Sequence, residues 1–389
     1  MKKYDLIIVG GGASGLSAAV TAARKGIKQI AVIEKKEVPG KKIMASGNGR
    51  CNMTNLYAEG CSEILEFFAS IGVLIRSEDE GRVYPYSEDA KDVVRALVKE
   101  AKKLGVEFIT AAEVTDIKCL KSGSDVNWSM FEVTYRASSK EQRASATACL
   151  IACGGKAAPK LGTCGDGYRF AKSFGHSVSR LIPVLTAVEL WQKPDELGLS
   201  GVRQKARVSL EFKGETLATE SGEVQFTKAG LSGICIFNLS RYMLVPSGKT
   251  IKNGFDDYEI VIDFMPEYTK DEVKNLSAVR DESLCSIVKE PIARVIREKK
   301  LSSESPDIQL KAMRLKPSGA RGWDFAQVTK GGVVLDEIDA KTGMSKLQDG
   351  LFFSGEIMDF DAKCGGYNLQ HAWHTGIIAG EGIFEYVNR

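Results

Sequence analysis

The stretch YDLIIVGGGASG, from Tyr4 to Gly15, decides the fold of this chain. Its first six residues are mostly apolar and rich in β-branched side chains, as in a parallel strand buried on both faces. Three glycines follow in a G-x-G-x-x-G spacing: Gly10, Gly12 and Gly15. An alanine-rich helix is predicted over 16–25, and a second strand over 29–33 ends on Glu34. This strand, turn, helix and strand, followed by an acidic residue, predict a dinucleotide-binding domain.

Each part of the glycine turn has a physical task. Gly10 permits a tight turn, Gly12 lets the backbone approach a pyrophosphate, and Gly15 allows the helix to pack closely on the strand. Free N–H groups at the start of the helix are expected to meet the phosphate charge, and Ala13 and Ser14 of the turn are predicted cofactor contacts. Glu34 is expected to accept hydrogen bonds from the ribose hydroxyls and to repel a 2′-phosphate.

Three regions further along the chain favour FAD over NAD as the dinucleotide. The first, 39–55, is a polar and basic loop that can lie along an extended cofactor. The second, 148–155, is an apolar strand that ends in two glycines, and the third, 350–356, is a strand that runs into a Gly-Glu pair. The predicted cofactor contacts in or beside the first and third regions are Lys35, Lys42, Gly47, Asn48, Arg50, Cys51, Asn52, Gly355 and Glu356.

A glycine-rich stretch, 365–376, leads into an apolar helix that runs to the last residues of the sequence. A helix that begins near Asn368 would aim its free N–H groups at the flavin N1–C2=O edge, where negative charge accumulates on reduction. Asn368 and Leu369 are therefore predicted flavin contacts, and this helix start is predicted to stabilise reduced flavin.

Five segments together resemble the BaiN/YhiN-like bacterial flavoproteins over nearly the full length of the chain. These segments are 10–15, 47–52, 226–233, 326–333 and 365–370. The family includes a 3-dehydro-bile-acid Δ4,6-reductase and an L-aminoacetone oxidase. The resemblance implies an α/β fold in which N- and C-terminal segments build a Rossmann-like FAD domain. It also implies that the backbone at Val114 pairs with adenine. Lys228 and Ile234 depart from the family pattern, which has His and Pro there.

The changes of pattern along the chain predict how it is divided. The FAD-binding domain is expected to comprise 1–182 and 331–389. Short alternating stretches predict a β-rich substrate domain over 183–265 and 310–330, with a helical insertion at 266–309. The polar segment from Gly123 to Trp128 is predicted to be a hairpin loop.

Composition narrows the classes of partner. The chain has 53 basic and 50 acidic residues, and a net charge of +3 provides no broad field to attract nucleic acid or an anionic membrane. There is no signal-peptide pattern, and no apolar run of the length that spans a bilayer, so a cytoplasmic protein is expected. The nine cysteines are scattered without a Cys-x-x-Cys pair, which argues against disulfides and zinc. The sequence leaves the oligomeric state open.

The sequence identifies no catalytic residue, because flavin itself performs the difficult chemical step. His371 and His374 have a metal-ligand spacing but no third ligand, so no metal is expected, and packing or proton donation is favoured. Tyr84 and Tyr86 are candidate proton donors or surface residues. Cys51 has no nearby thiol partner, so it is expected to pack beside the cofactor.

Three functional classes stay open at this point. The first is a reductase that takes electrons from NAD(P)H and saturates an activated C=C bond in a steroid-like small molecule, with a bile-acid dienone as the named candidate. The second is a flavin amine oxidase, and the third is a flavoprotein of RNA modification or electron transfer. The near-neutral charge disfavours an RNA substrate, and the reductase is the favoured prediction.

Overall fold

A computed structural model describes residues 1–120, 130–243, 254–280 and 283–389. The hairpin loop predicted from Gly123 to Trp128 lies outside these residues. The described residues form two compact units, of which the first combines Met1–Leu181 with Val328–Arg389 and the second is Ile182–Gln327.

Both units combine helices with strands. The first unit contains β1 (Lys2–Val9), α1 (Ala13–Lys25), β2 (Ile30–Ile33), α2 (Lys41–Ala45), β3 (Thr54–Asn55), α3 (Cys61–Ser70), β4 (Ile75–Ser77), β5 (Arg82–Pro85), α4 (Ala90–Lys103), β6 (Glu107–Ile109), β7 (Ala112–Leu120), β8 (Met130–Ala137), β9 (Lys140–Ile151) and α5 (Asp166–Ser173). The second contains β10 (Ile182–Val184), β11 (Val188–Leu190), β12 (Arg203–Phe212), β13 (Glu215–Phe226), β14 (Gly230–Ser232), α6 (Ile234–Ser240), β15 (Tyr258–Asp263), α7 (Lys270–Asn275), α8 (Ser277–Arg280), α9 (Glu290–Arg297), α10 (Pro306–Lys311), β16 (Met313–Leu315) and β17 (Pro317–Ala320). The first unit is completed by β18 (Val328–Lys330), β19 (Leu351–Phe353) and α11 (Tyr367–Val387).

The first unit is built on a parallel sheet with β1 at its centre. Its parallel strands lie in the order β6, β2, β1, β9, β19, and the antiparallel strands β8 and β7 continue from β9. The even-numbered Leu6 and Ile8 pack in one apolar cluster with α1 and α11, whereas Ile7 and Val9 pack in another with α5 and the β7–β8 pair. Both faces of β1 are therefore buried, which explains its continuous apolar sequence.

The second unit is a seven-stranded antiparallel sheet with helices packed on it. The strand order is β16, β15, β12, β13, β14, β11, β17. Only Lys316 separates β16 from β17, although they form opposite edges, so the sheet curls until its edges meet. Val273 of α7 and Ile292 of α9 belong to the same apolar core as the strands. The helices of the predicted insertion thus share one core with the sheet.

Several local details differ from the sequence-based expectations. The predicted loop 39–55 contains the short helix α2, and α1 begins at Ala13 rather than at residue 16. Helix α6 lies in a region that alternation predicted to be β-strands only. All nine cysteines are free thiols in the structure. Within the four described stretches of chain, no helix is both long and apolar enough to cross a membrane.

Candidate cofactor site

The glycine turn between β1 and α1 has the tight geometry that its spacing predicts. A Cβ atom at Gly10, where φ is +109°, would lie 2.4 Å from the carbonyl oxygen of Ala152. A Cβ atom at Gly15 would lie 2.0 Å from the carbonyl oxygen of Gly10. At Gly12 such an atom would meet nothing within 4 Å. Gly10 and Gly15 are thus required by packing, while Gly12 borders open space in front of the helix.

The carboxylate of Glu34 is held next to this turn. Its oxygens accept hydrogen bonds from the backbone N–H groups of Gly11, at 2.8 Å, and Lys36, at 2.7 Å. A carboxylate offers about four acceptor positions, so Glu34 keeps capacity for ribose hydroxyls. The ammonium group of the neighbouring Lys35 contacts Glu113 at 2.7 Å and Asp166 at 3.1 Å. Burial opposes the charged ammonium, but these two hydrogen bonds outweigh it and raise the pKa of Lys35.

The returning chain after β19 contacts the start of α1 directly. The Ser14 hydroxyl donates a hydrogen bond to the carbonyl oxygen of Ser354 at 3.2 Å. The N–H of Gly355 donates to the Thr375 hydroxyl of α11 at 2.9 Å. A Cβ atom at Gly355 would lie 2.5 Å from the Ser14 hydroxyl oxygen, so this close approach requires glycine. Two segments predicted separately from sequence, the turn and the Gly-Glu pair, therefore meet at Ser14.

Glu356 connects Lys42 with a threonine that sequence reasoning missed. One of its carboxylate oxygens lies 2.5 Å from the Lys42 ammonium, and the other accepts the N–H of Thr329 at 2.8 Å. The Thr329 hydroxyl also accepts the N–H groups of Lys156 and Ala157, at 2.8 and 3.0 Å. Thr329 lies in the segment 326–333, which supported the family resemblance. Membership of that segment was the one sequence feature that could have identified it as a site residue. The charges of Lys42 and Glu356 cancel, and their ion pair joins the 39–55 segment to the Gly-Glu turn.

The segment 47–52 has an unusual backbone. Gly47 and Asn48 both have φ of 56°, and Cys51 has φ of 62°, which is left-handed geometry. The Cys51 thiol is fully buried beside Leu16 and Trp373, and burial raises its pKa to about 12. The thiol therefore packs in the apolar cluster, and the backbone of Cys51 is the part left for a cofactor contact.

Arg50 projects away from that cluster. Its guanidinium contacts Glu78 through both terminal nitrogens, at 2.9 and 3.4 Å, and lies 4.1 Å from the ring centre of Tyr84. Tyr84 is buried beneath it, while Tyr86 is 64% exposed and is covered on one side by Arg76. Tyr86 is thus a surface residue, and Arg50 is paired with Glu78 above the ring of Tyr84.

Two asparagines shape the start of α11. The Asn52 amide bridges the carbonyl oxygen of Thr54, at 3.1 Å, and the N–H of Gly366, at 3.2 Å. The Asn368 side chain donates to the carbonyl oxygen of Ala362 at 2.8 Å and accepts its N–H at 2.9 Å. The helix begins at Tyr367, next to the predicted start near Asn368, and Gly366 before it provides no side-chain cap. Its first backbone N–H groups, including that of Leu369, have no intrahelical acceptor.

The histidines of α11 differ from each other. The His371 ring stacks on Phe360 with centroids 3.9 Å apart, and its Nε2 is buried without a hydrogen-bond partner. Burial lowers the pKa of His371 to about 4, so the imidazole is neutral at pH 7. His374 lies 3.5 Å from Glu63 near the surface. In the part of the chain that the structure describes, no cluster of three metal-ligating side chains exists.

Val114 lies in β7, opposite Tyr135 of β8. The register shifts between Val114 and Asp116, and the start of β7 is tied to the ribose-binding region, because the N–H of Ala112 donates to the carbonyl oxygen of Glu34 at 3.0 Å. The strand predicted to meet adenine thus starts beside the acidic residue predicted to meet ribose.

These residues suit a dinucleotide with a flavin at one end. Two helices, α1 and α11, begin at glycines without side-chain caps, and such helix starts attract negative charge. Gly12 borders space at the first start, and Glu34 supplies acceptors beside it. The turn, the Gly-Glu pair and α11 are in mutual contact, so FAD fits the donors and acceptors present.

Comparison with known proteins agrees with this geometry. The family model described as HI0933-like protein Rossmann domain matches residues 4–61 and 56–382. The 3-dehydro-bile acid delta(4,6)-reductase of Clostridium scindens is 34% identical over 97% of this chain and 98% of its own. The ribosomal RNA dihydrouridine synthase of Escherichia coli is 28% identical over 96% of both chains.

A solved structure of similar fold is the open conformation of a flavocytochrome c3 fumarate reductase. It aligns with a TM-score of 0.54 and 15% identity, over 100% of this chain and 79% of its own. At that identity the likeness concerns the fold alone. The match to the family model and the full-length relative above 30% identity settle the assignment. The chain is a member of the HI0933-like family, a family of FAD-dependent oxidoreductases with a Rossmann-type domain.

Proposed function

We propose that this protein reduces a C=C bond conjugated to a carbonyl group, with NAD(P)H as electron donor and a 3-dehydro bile acid as substrate. The observation that carries this proposal is the full-length similarity to the bile acid delta(4,6)-reductase. The near balance of 53 basic and 50 acidic residues supports a small molecule rather than a nucleic acid as substrate. We place the protein in the cytoplasm, where NAD(P)H is available.

The second candidate substrate is uridine in ribosomal RNA, because an rRNA dihydrouridine synthase also matches over nearly the whole chain. Dihydrouridine formation and enone reduction are one class of reaction, since both add two hydrogens across a C=C bond conjugated to a carbonyl group. The reaction class is therefore supported by both relatives, and the choice of substrate rests on the higher identity of the first.

Bound FAD, once reduced by NAD(P)H, would supply the hydride for the substrate carbon. The described residues prepare the site in three ways. Glu34 and the start of α1 bind the nucleotide end, the uncapped start of α11 places partial positive charge at the site, and Lys42 with Glu356 holds the connecting loop in place. His371 is neutral at pH 7, because burial lowers its pKa, and it therefore adds no positive charge to the site.

Anaerobic mixing experiments test the reaction. Purified FAD-loaded protein is mixed with NADH or NADPH while flavin absorbance is followed, and reduced protein is then mixed with a 3-oxo-Δ4,6 bile acid and analysed by mass spectrometry. We expect bleaching by the nicotinamide and a product heavier by two hydrogens. Flavin that stays oxidised with both nicotinamides would contradict the proposed donor. Reduction of uridine in rRNA but not of the bile acid would favour the second candidate, and peroxide formation with small amines would indicate an oxidase.

A further inference from the structure

The second unit contains a cavity of about 310 Å³ beside the turn that joins β13 to β14. Residues 187–189 and 227–230 line it, together with Arg321. Three charged side chains line it, namely Glu189, Lys228 and Arg321. No residue of this cavity belongs to the first unit, where the candidate cofactor site lies.

Hydrogen bonds and close packing hold the turn that lines the cavity. Within the turn, the N–H of Thr227 donates to the carbonyl oxygen of Gly230 at 2.7 Å, and the N–H of Gly230 donates to the Thr227 hydroxyl at 3.2 Å. A Cβ atom at Gly230 would lie 2.0 Å from the carbonyl oxygen of Val188. The turn is thus pressed against β11, and only glycine permits that contact. The protein's own hydrogen bonds and packing thus hold this side of the cavity in place.

The two cations of the cavity are incompletely neutralised. Lys228 is exposed, and among the described residues its ammonium has no carboxylate within ion-pair distance. The Arg321 guanidinium carbon lies 3.3 Å from the ring centre of Phe325, which fixes the plane of the guanidinium. Its Nε lies 3.9 Å from a Glu189 oxygen, at the outer limit of an ion pair. Arg321 therefore retains N–H donors for a planar anion.

Charge and surface character indicate the class of ligand. Two cations and one carboxylate give the cavity a net charge of about +1, which matches a monoanion better than a phosphate of nearly two charges. Phe325, which is 55% exposed, provides an apolar surface next to the guanidinium. A carboxylate attached to an apolar body matches both the single positive charge of the cavity and the apolar ring of Phe325.

We propose that this cavity binds the carboxylate of an apolar organic acid, with Lys228 and Arg321 as its cationic contacts. Naming that acid as the substrate rests on the proposed function, since a bile acid carries one carboxylate on a large apolar body. Carboxylate binding itself does not depend on the reaction, so the two statements are tested separately.

Calorimetry on the FAD-loaded protein without nicotinamide tests the binding. The probes are octanoate, a 3-oxo-Δ4 bile acid, its neutral carboxamide and inorganic phosphate. The variants are Lys228→Gln and Glu189→Gln, and the matched control is Lys205→Gln, which removes an exposed lysine from β12 of the same unit.

Lys228→Gln should weaken binding of both acids about three- to fivefold, the size of a partly exposed ion pair, and leave carboxamide binding unchanged. Glu189→Gln should tighten acid binding because it removes the repulsive charge, and Lys205→Gln should have no effect. Equal affinity for acid and carboxamide, equal effects of Lys228→Gln and Lys205→Gln, or tighter binding of phosphate than of octanoate would each overturn the carboxylate site. Charge-dependent octanoate binding without bile-acid reduction would retain the site and reject the proposed substrate.

Discussion

Gly12 offers a test of the cofactor assignment at a single residue. Gly12→Glu places a side chain and a negative charge where the pyrophosphate is predicted to lie. Since a Cβ atom there meets no protein atom within 4 Å, the variant should fold and lose its FAD. The ratio of flavin to protein absorbance after purification measures this. Gly12→Ala is the control for folding, and full flavin in the purified Gly12→Glu protein would show that the pyrophosphate lies elsewhere.

The surroundings of His176 predict how the folding stability of the protein depends on pH. Its Nδ1 lies 3.1 Å from Glu337, and its Nε2 lies 2.7 Å from the Ser345 hydroxyl. That hydroxyl also accepts two backbone N–H groups, so its own hydrogen points to Nε2, which must be unprotonated. Burial lowers the pKa of His176 below its usual 6.5, although Glu337 opposes this.

Proton uptake by the unfolded chain decides whether stability rises or falls with pH. Below pH 6.5 the unfolded chain protonates this histidine while the folded chain resists, so the unfolded state binds more protons and stability falls as pH falls. The loss is at most about 1.4 kcal/mol per pH unit for each such group, and His371 acts in the same direction. Urea midpoints between pH 8 and 5 should fall less steeply in His176→Gln and in His371→Gln than in the wild type. If the urea midpoints of variants and wild type fell equally with pH, the lowered pKa of these histidines would be contradicted.

At the scale of elements, the close contact between α1 and α11 affects both the folding stability and the position of the predicted phosphate-binding turn. A Cβ atom at Gly376 would lie 2.1 Å from the Ser17 hydroxyl and 2.4 Å from the carbonyl oxygen of Ser14. Gly376→Ala should therefore separate the helices, at a cost of about 1–3 kcal/mol, and reduce FAD content because Ser14 moves. Thermal unfolding and flavin content are the measurements.

The control for Gly376→Ala lies on the same helix. Glu381→Ala breaks only an exposed ion pair with Lys25, at 2.9 Å, and should cost less than about 1 kcal/mol. Similar losses in the two variants would show that the helices tolerate a wider crossing.

Sequence reasoning succeeded for elements whose signals are local. The signals for the turn after β1, for helix α1 and for Glu34 all lie within a few dozen residues of each other. The structure has these features in the predicted order. Helix α6 was missed because a short apolar run has no period that separates helix from strand. The Lys42–Glu356 pair joins residues 314 positions apart, and only the folded sheet brings them together. The glycine spacing predicted where the turn lies, but not which carboxylates would hold the neighbouring lysines.

At the scale of the whole molecule, FAD should stabilise the two units unequally. Each unit has its own apolar clusters, and the candidate FAD residues lie in the first. Ligand binding to the folded state raises stability by mass action, so removing FAD should lower the unfolding temperature of the first unit and leave a separate transition for the second. Scanning calorimetry of protein with and without FAD measures this, and one transition that shifts as a whole would contradict it.

The first unit is made of two stretches of chain with the second unit between them, and this sets an order of events on the ribosome. Strands β1 and β9 emerge early, but their partners β19 and α11 are translated only after residue 327. The second unit is continuous, so it can fold while the first still lacks part of its sheet and half of its helix pair. Insertion of FAD is therefore a late step, which follows synthesis of α11.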